Sequence, residues 1–123
     1  MTAGLPPDLD MTAPEISVAV HLSDDDAIPF FITESDGITP VPIAGANLEF
    51  HVLPSQRHPA SSALFIRSTP EGITIDGDGL AGTGKVILTA SNKATMESGR
   101  EYYYRLRWTD QAVTVMRGPL RTD

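Results

Sequence analysis

Cysteine is absent from all 123 residues of this chain, which excludes disulfides, thiolate metal sites and a cysteine nucleophile. Stability must therefore come from packing or from partners. Long apolar runs are missing too: no stretch approaches the roughly 20 residues of a membrane helix. The opening MTAGLPPDLDMTAPE has neither the basic region nor the apolar core of a signal peptide. Neither a membrane segment nor secretion by a signal peptide is expected. Positive charge is scarce, with 9 Lys and Arg against 16 Asp and Glu for a net charge of −7. Such a balance repels phosphate backbones unless a basic stripe offsets it, so no nucleic-acid partner is expected. The chain is also too short for two ordinary cores, which makes one domain the expectation.

What is present is punctuation and alternation. Ten Gly and ten Pro favour short strands over long helices. Residues 1–14 combine Pro6, Pro7 and Pro14 with Asp8 and Asp10 and read as a flexible N-terminal arm, leaving 15–123 as a single β domain. Ile16, Val18, Val20 and Leu22 then alternate with small or polar residues, the period of two that sends every second side chain to one sheet face. The run Asp24-Asp25-Asp26 stops that strand, because three adjacent like charges need water.

Further strands are predicted at Ile28–Thr33, ending in the Ser35-Asp36-Gly37 turn, and at Ala46–Leu53, where Leu48, Phe50 and Val52 share a face before Pro54 removes a ladder donor. After a polar loop at residues 55–62, Ala63–Ser68 and Gly72–Asp76 read as a hairpin around Thr69-Pro70-Glu71. The glycine-rich stretch 76–84 can only be a loop. Lys85–Ala90 resumes strand chemistry, and Ser91–Glu97 is the only helical candidate, capped by Ser91 or Asn92 and followed by Gly99. Glu101–Thr109 is the clearest strand, with Tyr102, Tyr104, Leu106 and Trp108 on one face and Tyr103, Arg105 and Arg107 on the other. A last strand spans Ala112–Arg117. Seven or eight short strands with one short helical turn and no βαβ alternation describe an antiparallel sandwich or barrel, of which the sandwich is preferred.

Tempting chemistry fails at identifiable positions. Gly79-Leu80-Ala81-Gly82-Thr83-Gly84-Lys85 satisfies G-x-x-x-x-G-K, but the Ser or Thr that holds Mg²⁺ is replaced by Val86, and a strand rather than a helix follows. Asp76-Gly77-Asp78-Gly79 resembles the start of a calcium loop, yet Leu80 stands where the third ligand belongs and Ile87 where a bidentate Glu is needed. His21, His51 and His58 share no ligand spacing, and no G-x-S-x-G elbow localises a nucleophile. No catalytic residue, cofactor, metal or small-molecule ligand is expected. The surface worth testing is the outward side of the last long strand, where Tyr103, Arg105 and Arg107 form an aromatic and cationic strip of the composition enriched at protein interfaces.

The order of elements also resembles a family. The carriers are Phe31-Ile32-Thr33, the segment Pro42-Ile43-Ala44-Gly45-Ala46-Asn47-Leu48-Glu49-Phe50-His51-Val52, Gly72-Ile73-Thr74-Ile75 and Gly84-Lys85-Val86-Ile87-Leu88-Thr89. They continue with the turn to Met96, Gly99 before Tyr102-Tyr103-Tyr104-Arg105-Leu106, and Arg117-Gly118-Pro119-Leu120. This pattern is similar to the small immunoglobulin-like domains of tailed-phage and prophage baseplate or tail proteins, including the N-terminal domain of baseplate upper proteins. The resemblance implies an immunoglobulin-like sandwich in a non-enzymatic virion component, assembled in the host cytoplasm. Its implied partners are other tail or baseplate proteins and further copies of itself, and a receptor-binding or shaft module would lie on another chain. The competing expectation is a carbohydrate-binding or adhesion module, which would need Trp108 or the tyrosines exposed to stack on sugar rings.

Overall fold

A computed structural model describes residues 15–34, 38–57 and 62–122. The N-terminal arm, the Ser35-Asp36-Gly37 turn and His58 lie outside the described residues. Eight strands follow in chain order: β1 Val18–Val20, β2 Asp26–Phe31, β3 Leu48–Leu53, β4 Phe65–Ser68, β5 Ile73–Ile75, β6 Thr83–Leu88, β7 Glu101–Trp108 and β8 Val113–Thr122. They form a five-stranded sheet ordered β1-β8-β7-β3-β4 and a three-stranded sheet ordered β2-β6-β5. Successive hairpins alternate between the sheets, which is the immunoglobulin order of A′-G-F-C-C′ facing B-E-D. Every pairing is antiparallel except β1 with β8, where Val18 to Val20 run parallel to Leu120 to Thr122.

The alternation seen in the sequence becomes the core. Ile28, Phe30 and Ile32 from one sheet meet Leu48, Phe50, Val52, Tyr104 and Leu106 from the other, all nearly inaccessible to water. Phe50 and Tyr104 are register neighbours of the adjoining pairs and stack with ring centroids 5.1 Å apart at 19°. Trp108 closes one end of this layer and is buried, as its phase on the strand requires. One extra residue, Val115, is accommodated in β8 where the register with β7 shifts between Leu106 and Arg107.

Two expectations are corrected. The segments 63–68 and 72–76 do not pair as a hairpin: β4 hydrogen-bonds to β3 and β5 to β6, so Thr69-Pro70-Glu71 carries the chain from one sheet to the other. The inward phase explains this, because Arg67 and Phe65 of β4 sit opposite Phe50 and Val52, while Ile73 of β5 sits opposite Val86. Arg67 is drawn inward by the Ile87 carbonyl, to which its Nε donates at 2.8 Å, linking the two sheets. Residues 90–95 are successive turns rather than a helix, and residues 96–97 are irregular. Thr89 and Asn92 satisfy one another's amides at 2.9 and 3.1 Å, so the capping residue is Thr89 and no continuous helix follows.

The turns lead into a feature characteristic of this sandwich class. Near the start of β7 the hydroxyl of Tyr102 accepts a hydrogen bond from the Glu97 amide at 2.8 Å, a tyrosine corner that ties the β6–β7 connection to the strand. Tyr102→Phe leaves that amide without its partner, and the expected loss is about 1–3 kcal/mol. Urea unfolding should show a lower midpoint at unchanged slope.

A second anchor was invisible in the sequence. The Lys93 side chain is fully enclosed, and its ammonium donates to the carbonyls of His21 and Asp24 and to the Asp26 carboxylate. The acidic β1–β2 loop, expected to be simply solvated, is thus held to the β6–β7 connection.

Candidate functional site

The candidate interface is the outer face of the five-stranded sheet, and strand phase decides what it displays. On β7 the residues out of phase with the core are Glu101, Tyr103, Arg105 and Arg107; opposite them on β8 are Arg121, Pro119, Arg117 and Thr114. On β3 the same face carries Glu49, His51 and Leu53, paired with Arg107, Arg105 and Tyr103. Four of the chain's nine cations, Arg105, Arg107, Arg117 and Arg121, therefore share one face of a molecule whose net charge is −7.

The structure brings the three sequence-predicted residues together, but in different states. Tyr103 points outward as expected, yet it is only 6 % exposed. Arg105 lies over its ring at 5.7 Å and donates from Nη2 to the Gln56 carbonyl at 2.7 Å, fixing the loop after β3 against the face. Burial pushes the Tyr103 hydroxyl above its ordinary range, with Arg117 and Arg105 opposing and Glu15 reinforcing the rise. Tyr103, Glu15, Gln56 and Glu101 border a pocket of about 270 Å³. Tyr103 is thus a buried support for Arg105 rather than an exposed anchor. Arg107 is half-buried and donates to Thr114 Oγ1 at 2.7 Å.

The residue that sequence reasoning missed is Arg117. It is exposed, it stands directly across from Arg105 in the β7–β8 ladder, and no salt bridge to it is found among the described residues. Like charges directly opposite on a sheet are unfavourable. Pairing with the next strand could have revealed it, since Arg105 and Arg117 flank the short connection of residues 109–112 at comparable distances. At the face's edge Arg121 is neutralised by Glu101 at 3.0 Å, and Glu49 reaches His51 Nε2 at 2.9 Å, which allows His51 to be buried instead of exposed.

The sites set aside on sequence grounds now have locations. Gly79 and Gly82 occupy turns with φ of +82° and +71°, and a Cβ at Gly79 would fall 2.6 Å from the Ala44 amide nitrogen. Their loop packs on the chain before β3, with the Ile43 amide donating to the Gly79 carbonyl at 2.9 Å, and it leads directly into strand β6. Among the described residues no three His, Asp or Glu side chains converge as metal ligands, and no helix is long and apolar enough to cross a membrane. Comparison with protein-family models and with curated proteins found no match to this chain.

Proposed function

We propose that this chain is a non-enzymatic assembly protein of a phage or prophage tail or baseplate, built to dock other proteins on the outer face of its five-stranded sheet. The observation that carries the docking role is the cross-strand juxtaposition of Arg105 and Arg117 on an otherwise acidic molecule. An acidic partner surface is complementary to the two adjacent guanidinium groups and gains electrostatic steering. The chain's own surplus of carboxylates makes a second copy a suitable partner, in a head-to-tail contact between unlike surfaces. The tail or baseplate setting, and with it a place in the virion, rests on the resemblance carried by residues 42–52, 84–89, 99–106 and 117–120. A carbohydrate-binding role draws no support from Trp108 or the tyrosines, which are all buried.

Charge reversal tests the proposal. Light scattering of the full chain at low salt is expected to give a mass above the 13.2 kDa monomer, and the R105E/R117E variant a smaller mass than the native chain, with unchanged fold by circular dichroism. A wild-type chain that stays strictly monomeric at high concentration and low salt would overturn self-assembly through this face.

A further inference from the structure

The two sheets are open along one side, between β1 and β2. A mainly apolar groove of about 740 Å³ runs there, with Ile16, Val18, Phe30 and Met116 in its lining and Asp76 and Lys85 at its border on the β6 side. Ile16 and Phe31 are 44 % and 48 % exposed, high for large apolar side chains beside a closed core.

The groove is also bordered by a free strand edge. The Ile32 amide donates to the Gly82 carbonyl on the β6 side, so alternation turns the backbone groups of Ala27, Pro29, Phe31 and Thr33 to the open side. Pro29 has no N–H to offer, which blunts the edge against pairing with another β2. The same alternation points the amides of Ala27, Phe31 and Thr33 away from β6. In the immunoglobulin order this is the position beside strand B, where strand A would add.

Fourteen residues precede Glu15, and within them Leu9, Met11 and Ala13 alternate with Asp8, Asp10 and Thr12. That is the pattern of a strand with one apolar face. Its phase decides which copy of the chain can supply it. Ile16 and Val18 already face the groove, so continuing the same strand backwards in line sends Pro14, Thr12 and Asp10 inward, the polar set. A one-residue offset reverses every side chain. A segment from another molecule has a free choice of register and can turn Leu9, Met11 and Ala13 into the groove. Fully extended, 14 residues reach on the order of 45 Å, enough to span to a neighbouring domain.

We propose that the groove between β1 and β2 is a strand-acceptor site filled by residues 9–13 of a second copy, which pair with the free edge of β2. Main-chain hydrogen bonds supply the attachment and alternate side-chain pockets supply the register. Each copy then accepts one arm and donates another, a heterologous contact that closes into a ring or extends as a filament. The proposal rests on the assembly reading and adds the partner to it.

The absence of cysteine makes the test clean. Full-length M11C chains are mixed with full-length T33C chains under mild oxidation, with S91C, at the far end of the molecule, as the control partner. The expected result is at least about a tenfold excess of the M11C–T33C disulfide dimer over the M11C–S91C dimer, lost when Leu9→Asp is added. Equal yields with the two partners would overturn the proposal. So would a M11C/T33C double variant that closes within one chain at every dilution. Salt-sensitive assembly that persists while this crosslink fails would remove the arm and leave the cationic face standing.

Discussion

Lys93→Met is expected to lower the unfolding free energy by about 3–5 kcal/mol, the range found when one member of a buried ion pair is removed. Methionine nearly preserves the volume, so the loss reports electrostatics rather than a cavity. What remains is the Asp26 carboxylate, whose side chain is 18 % exposed, together with the His21 and Asp24 carbonyls that the ammonium had satisfied. Asp26 keeps the His21 amide at 3.0 Å, which cannot replace a cation. Against a total stability of about 5–15 kcal/mol for a domain of this kind, the variant stands near the folding threshold. Denaturant unfolding of K93M, D26N and the double variant measures the coupling. The double variant should be less destabilised than the sum of the singles, because the stranded carboxylate is gone. Additive effects would mean that the two side chains do not act as a pair.

Tyr104→Ala is expected to cost about 3–5 kcal/mol through the cavity it leaves. Tyr104 is fully buried, stacks on Phe50 and donates from its hydroxyl to the Ile16 carbonyl at 2.7 Å. That last bond holds the residues before β1 onto the sheet, where Gly118 makes room: a Cβ there would lie 2.2 Å from the Ile16 oxygen. Burial, more than the nearby Tyr103 and Glu15, pushes the Tyr104 hydroxyl far above the ordinary tyrosine range, so it remains a donor at all physiological pH. Tyr104→Phe separates the two contributions. It keeps the stack and removes only the hydrogen bond, for an expected loss of about 1–2 kcal/mol. Thermal unfolding of the two variants gives the order: Ala far below Phe, and Phe modestly below the native chain.

Much of this architecture was legible because period-two alternation survives folding intact. β2, β3 and β7 lie where Ile28-Phe30, Leu48-Phe50-Val52 and Tyr102-Tyr104-Leu106 placed them, and the sandwich follows from burying those faces together. Errors arose where the deciding contact is distant in sequence. A tight turn at Thr69-Pro70-Glu71 looks the same whether it joins two paired strands or passes between sheets; only the pairing of β4 with β3 and β5 with β6 distinguishes them. Lys93 belongs to the aspartate loop 67 residues earlier, and its burial has no local pattern. The candidate site shows both cases. Strand phase correctly sent Tyr103, Arg105 and Arg107 outward, whereas the burial of Tyr103 depends on Arg105 reaching back to Gln56, and the opposed Arg117 depends on the β7–β8 register.

The measurement that bears most directly on the cationic face is the salt dependence of self-association by sedimentation velocity, for the native chain and for R105E/R117E. The Debye length shortens from about 10 Å at 0.1 M salt to about 3 Å at 1 M. The native chain should associate at low salt, weaken steadily as salt rises, and match the variant at the highest concentration. Association that is indifferent to salt and equally strong in R105E/R117E would contradict a docking role for this face.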